Sequence, residues 1–191
     1  MQGLSPVALG ITGLQFALFA NALYLLGIDS DRPEGQSDPA KTVGVAGSLI
    51  GALGLLFASA WFVIGAPFGR EGQAAAVQLL FTIITGMYGF IWLGAAFAQI
   101  FGWDLRPVGN LALLCLIIQV FAMVVLASWG ITLNTLLIEL VWFSYVLVLA
   151  GFWAATHGKI STRLVGYACL LAFVLDFYPH FWASGILPAP S

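Results

Sequence analysis

The sequence predicts an all-α integral membrane protein: six transmembrane helices, built as three helix-hairpin repeats around a pseudo-threefold axis, with both termini outside. Three observations lead there. The 191-residue chain is 61% hydrophobic and 7% charged, with a mean hydropathy of +1.03. A soluble domain carries about 25% charged residues, so this chain has too little polar surface to cover itself in water. Its apolar runs are long and continuous rather than alternating, which indicates helices and not barrel strands. A Val-Gly pair follows each of three polar turns: Val43-Gly44, Val108-Gly109 and Val165-Gly166.

A span needs roughly 20 apolar residues at 1.5 Å rise per residue. The first covers Ser5–Gly27; no Lys or Arg precedes it, so it reads as a retained helix rather than a cleavable signal. A polar stretch, Asp29–Asp38, follows and reads as solvated loop. The second span is Thr42–Gly65, with Gly44, Gly47, Gly51 and Gly54 inside it. The third is Ala74–Phe101, with Gly86, Gly89 and Gly94. Small residues let helix backbones approach closely where lipid supplies no hydrophobic drive. The third run ends in the turn Phe101-Gly102-Trp103-Asp104-Leu105-Arg106-Pro107. The fourth span is Val108–Ser128, the fifth Thr132–Thr156 and the sixth Arg163–Leu187. Odd-numbered runs end in a glycine, Gly27, Gly102 or Gly158, before a polar stretch. Residues 1–191 read as a single membrane domain with hairpin units of about 5–65, 74–128 and 132–187.

Orientation follows from basic residues in the loops. Arg32, Lys41, Arg106, Lys159 and Arg163 lie in the turns within units, and Arg70 alone in a connection between units. That places the three turns in the cytoplasm. The outer connections near Ala66–Gln73 and Trp129–Ile131 are short. Parallel repeats of this kind occur in transport proteins, and an axis along the membrane normal can hold a pore or a plug of side chains.

Polar residues inside the spans are the candidate site. Glu139 and Asp176 are acids in apolar runs, where a carboxylate faces protein or a wet cavity by default. By helix rise, Glu139 lies roughly 10 Å below the outer surface and Asp176 about 20 Å from the cytoplasmic end. In a core about 30 Å thick these are similar levels, so the two acids are expected to share a site. Asp176 stands ten residues after Gly166; the equivalents after Gly109 and Gly44 are Gln119 and Gly54. Asn21, Gln15 and Gln99 are further candidates. Tyr88 and Trp92, and likewise Trp142 and Tyr145, share helix faces by spacing. Such aromatic faces, with a few hydrogen-bonding groups, suit a small planar neutral solute.

Other classes find no support. Six Lys and Arg residues without a cluster argue against nucleic acid. No nucleotide loop, nucleophile motif, zinc motif or haem histidine pair is present, so no enzyme activity, metal or cofactor is expected. Cys115 and Cys169 read as packing residues.

On the turn at 101–107, the outside termini and the three hairpin repeats, the chain resembles the urea/short-chain amide channel family (AmiS/UreI). The match is best over the third helix, its turn and the start of the fourth. It extends to Asn21, Gly27 and Asp29 in the first hairpin, and to Trp142 and Pro179 later. The resemblance implies a narrow pore in each protomer, a hexamer, and a bacterial inner membrane with both termini periplasmic. The family's acid-gated member carries histidine-rich outer loops; these outer loops carry none, so a pore open at neutral pH is expected. The family's acid early in the last helix falls here on Leu170–Leu171.

The function expected is therefore a passive channel for urea or short aliphatic amides, lined by Glu139, Asp176, Gln119, Trp142, Tyr145, Tyr88, Trp92 and Asn21. Two alternatives are a proton-coupled transporter using Glu139 and Asp176, and a non-transporting membrane subunit. The first would lose uptake with an uncoupler, and the second would show no flux alone.

Overall fold

A computed structural model describes residues 6–32, 34–129, 136–184 and 186. It contains helices α1 (Pro6–Leu26), α2 (Pro39–Gly65), α3 (Gly72–Phe101), α4 (Arg106–Ser128), α5 (Leu136–Thr156), α6 (Thr162–Leu175) and α7 (Phe177–Ala183). No strand occurs among the described residues. Six helical stretches are long and apolar enough to cross a membrane, α6 and α7 together forming the sixth. The predicted starts at Ser5 and Thr132, the end at Leu187 and the loop beyond Trp129 lie outside the described residues.

Local chemistry explains the helix boundaries. Asp38 caps α2 by accepting from the Ala40 N–H at 2.9 Å, with Pro39 at the first helical position, where its missing N–H costs nothing. So α2 starts earlier than Thr42, and Asp38 belongs to the cap rather than to a free loop. Ser161 caps α6 through the Arg163 N–H at 3.1 Å. Gly27, Gly102 and Gly158 all take positive φ just past α1, α3 and α5. The residues after them donate back into the last turn: Ile28 to Leu23 at 2.9 Å, Trp103 to Ala98 at 3.0 Å and Lys159 to Ala154 at 2.8 Å. This is the glycine-dependent stop that satisfies terminal carbonyls. The sixth span is not one straight helix. Pro179 cannot donate to the Leu175 carbonyl and its ring crowds that turn, and the helix breaks at Asp176.

The spans form a closed ring. Each packs on the next in sequence, and α6 and α7 return to α1. The tight points are glycines. Gly54 lies against the backbone of α1, where an added Cβ would meet Gly13 Cα and Leu9 O at 3.2 Å. Gly44 meets Ala96 and Gln99 near the end of α3, Gly109 meets Thr156 at the end of α5, and Gly166 meets Ala22 and Leu25 near the end of α1. The inner faces carry Leu14, Leu18, Tyr88, Ile91, Trp142, Leu149 and Cys169. The outer faces are also apolar: Phe57, Ile64, Phe90, Phe121 and Val124 are all more than half exposed. A ring greasy on both faces suits a lipid surround, where helices satisfy their own backbone groups.

Within α2, Gly44–Leu49 winds as a π-helix. Such wide turns gather at functional positions, and this one carries Ser48.

Candidate functional site

A cavity of about 240 Å³ runs inside the ring. Its mouth lies at the turn end, beside Asp38, Gly102 and Leu105, and Tyr88 is its deepest residue on α3. By helix rise, Tyr88 lies roughly 20 Å from Gly102. The walls are mostly apolar and aromatic, with Ile91, Trp92, Ala95 and Phe152 prominent. A pocket of this kind orients a ligand with a few placed polar groups.

Near the mouth, those groups come from three helices. The Asn21 amide donates to Ser48 Oγ at 2.9 Å. Ser48 donates to Gln99 Oε1 at 2.7 Å. Gln99 donates back to Asn21 Oδ1 at 2.7 Å. Each member gives and takes one hydrogen bond in a single sense, an arrangement in which the bonds polarise one another. A fourth bond, from Asn21 to the Ala17 carbonyl at 2.9 Å, pins the ring to α1. Asn21 and Gln99 both border the cavity.

Past the deep end, behind Tyr88 of the cavity wall, lies a second polar layer. The Tyr88 hydroxyl donates to Gln119 Oε1 at 2.5 Å, and Gln119 Nε2 donates to the Trp142 carbonyl at 3.1 Å. The Tyr145 hydroxyl donates to Asp176 Oδ1. The rings of Tyr88 and Tyr145 pack tilted at 59° with centroids 5.8 Å apart, joining the two pairs. Gln119 is 1% exposed and Asp176 is fully buried. Gln15, also buried, sits with Oε1 2.8 Å from His180 Nδ1, one helical turn beyond Asp176. Further on, Phe81 packs edge-on against Trp142 at 5.9 Å and tilted against Phe68 at 5.3 Å. The Phe68 N–H is held by Gln78 Oε1 at 3.2 Å.

Of the residues read from the sequence, Tyr88, Gln119, Trp142, Tyr145 and Asp176 thus meet in one layer. Asn21 and Trp92 border the cavity closer to its mouth. Glu139 does not join them. It is exposed, as are Leu140, Phe143 and Leu147, while Val141, Ser144 and Val148 are buried. It therefore points away from the ring, and the expected pairing with Asp176 is not formed. Its place in the first turn of α5 suits an anion, because unpaired backbone N–H groups gather there. Two participants had no signal of their own in the sequence. Ser48 stands among glycines, and His180 meets Gln15 across 165 residues.

At the turn end, Asp104 and Arg106 form an exposed ion pair at 2.5 Å. The hydrogen-bonded Arg106 guanidinium holds the Asp104 carboxyl below its ordinary range. Among the described residues, no three His, Cys, Asp or Glu side chains converge as a metal site. Comparison of the chain with protein-family models, characterised proteins and solved structures returns no match.

Proposed function

We propose that the protein is a passive membrane channel for urea or short-chain aliphatic amides. One observation carries the reading: six apolar spans close into a ring around a narrow, mostly apolar cavity whose walls carry the neutral polar groups of Asn21, Tyr24, Tyr88 and Gln99, with Asp38 at its mouth. Urea and small amides are flat, uncharged and rich in donors and acceptors. Trp92 and Tyr88, which line the cavity, offer ring faces to the flat solute. Asn21, Gln99 and the deep layer replace part of its lost hydration. Hydrated ions meet a low dielectric and no ring of charge.

The three like glycine caps and the three like contacts of Gly44, Gly109 and Gly166 support three hairpin repeats about a pseudo-threefold axis. The positive loop residues support cytoplasmic turns and outside termini. The resemblance at 101–107 supports the AmiS/UreI family, a bacterial inner membrane and a hexamer. Glu139 is left out of the pore. A proton relay through Glu139 and Asp176 needs both acids in one cavity, and the exposure of Glu139 disfavours it.

The test is permeation into liposomes holding the purified protein, read by light scattering with urea, acetamide and glycerol at pH 7 and pH 5. Urea or acetamide should enter at least about tenfold faster than into protein-free liposomes, without an ion gradient and already at pH 7. Entry no faster than the bare bilayer at either pH refutes the channel. A several-fold rise from pH 7 to pH 5 refutes only the ungated form.

A further inference from the structure

Two side-chain atoms in the deep layer are buried without a hydrogen-bond partner: Asp176 Oδ2 and Gln15 Nε2. One is an acceptor and the other a donor. The remaining atoms of both side chains are fixed. Tyr145 holds Asp176 Oδ1, and His180 Nδ1 holds Gln15 Oε1 at 2.8 Å. An amide oxygen only accepts, so the ring hydrogen sits on Nδ1 and the free end of Gln15 is its amino group. The His180 N–H donates to the Asp176 carbonyl at 3.1 Å, so a helical turn links the two residues. Side chains four apart on a helix lie about 5–6 Å from each other at Cβ. Gln15, tied to His180, is therefore brought to the side of the helix that carries the Asp176 carboxyl.

An unpaired donor and an unpaired acceptor are both costly in hydrocarbon. Together they match a chemical group that has one of each on neighbouring atoms. We propose that Gln15 and Asp176 clasp a primary amide group, and that this clasp selects the solute. The solute N–H donates to Asp176 Oδ2 and its carbonyl accepts from Gln15 Nε2; no covalent step occurs. His180 and Tyr145 are positioning residues that turn the two open atoms toward the solute. The inference rests on the amide-channel reading and assigns its selectivity to named atoms. Glycerol, with flexible hydroxyls, fits each atom singly but does not present the two in one rigid plane.

The experiment uses the full chain in liposomes, with urea, acetamide and glycerol as probes. Gln15→Met keeps the length of the side chain and removes the donor. Asp176→Leu removes the acceptor, and Asp176→Asn keeps an oxygen. Gln15→Met and Asp176→Leu should each slow urea and acetamide about tenfold, the equivalent of one hydrogen bond, and slow glycerol less than about twofold. Asp176→Asn should stay within about threefold of the parent. Urea and glycerol slowed alike, or urea unchanged in Gln15→Met, overturns the clasp and leaves the channel standing. A parent chain that passes no amide overturns both. Gln15→Met carries the test alone if Asp176→Leu fails to assemble.

Discussion

Tyr88–Gln119 and Tyr145–Asp176 are two versions of one device. In each, a tyrosine on an odd-numbered span donates to a polar side chain on the following span, and in each the partners are 31 residues apart. Both acceptors are buried, and the two tyrosine rings touch. They differ in what remains open. Gln119 passes its amino group on to the Trp142 carbonyl, so that pair is saturated. Asp176 keeps one oxygen without a partner. A saturated buried network rigidifies a structure, and a buried valence left open is costly and calls for an explanation. In α2, Gly54 stands ten residues after Gly44, as Gln119 does after Gly109 and Asp176 after Gly166, but it has no side chain and is pressed against α1. So the saturated pair reads as structure, and the open pair is the one the proposed clasp draws on.

That contrast can be broken by substitution. The largest effect on stability is expected at the saturated pair. Gln119→Leu strands the Tyr88 hydroxyl and the Trp142 carbonyl, and should lower stability by about 1–2 kcal/mol in thermal or denaturant melts in detergent. Asp176→Leu also strands a hydroxyl but removes an unpaired carboxyl oxygen, so its cost should stay under about 1 kcal/mol. The reverse order would show that the open oxygen is not a strain on the fold. A smaller effect sharpens the same point. A double-mutant cycle of Tyr88→Phe with Gln119→Leu should return a coupling of about 1 kcal/mol. The mouth ring offers a control of similar size: Ser48→Ala interrupts the Asn21–Ser48–Gln99 cycle and should cost about 1 kcal/mol.

The smallest effect concerns the exposed acid. Arg106 lowers the Asp104 carboxyl in the folded chain. A depressed folded-state value means a contribution present above the ordinary carboxylate range and lost as pH falls through the depressed value. Asp104→Asn should therefore melt slightly below the parent at pH 6, and the gap should close on acidification. A gap that widens toward low pH contradicts the pair's role.

Much of this was legible in the residues. Six spans follow from hydropathy alone, since a bilayer imposes a length. The glycine stops at Gly27, Gly102 and Gly158 follow from backbone conformation, because other residues resist the left-handed turn. Gln119 and Asp176 stood out because polar groups in hydrocarbon are costly and so are rarely accidental. The error over Glu139 has the same origin. A helix apolar on every side carries no periodic pattern to separate inside from outside, so depth could be read and direction could not. The Ser48 contact depends on a π turn in α2 and on three helices meeting at one level.

Composition and short-range chemistry thus set the class of the protein, the number and length of its spans, where they stop, and which side chains are too polar to ignore. Hydropathy, capping and backbone freedom act within a few residues, so they are written locally. Which polar groups meet, which valences stay open and which acid faces away were settled by packing. Those outcomes depend on the rotation of each helix about its own axis. In lipid, that rotation answers to neighbours distant in the chain rather than to any contrast between oil and water.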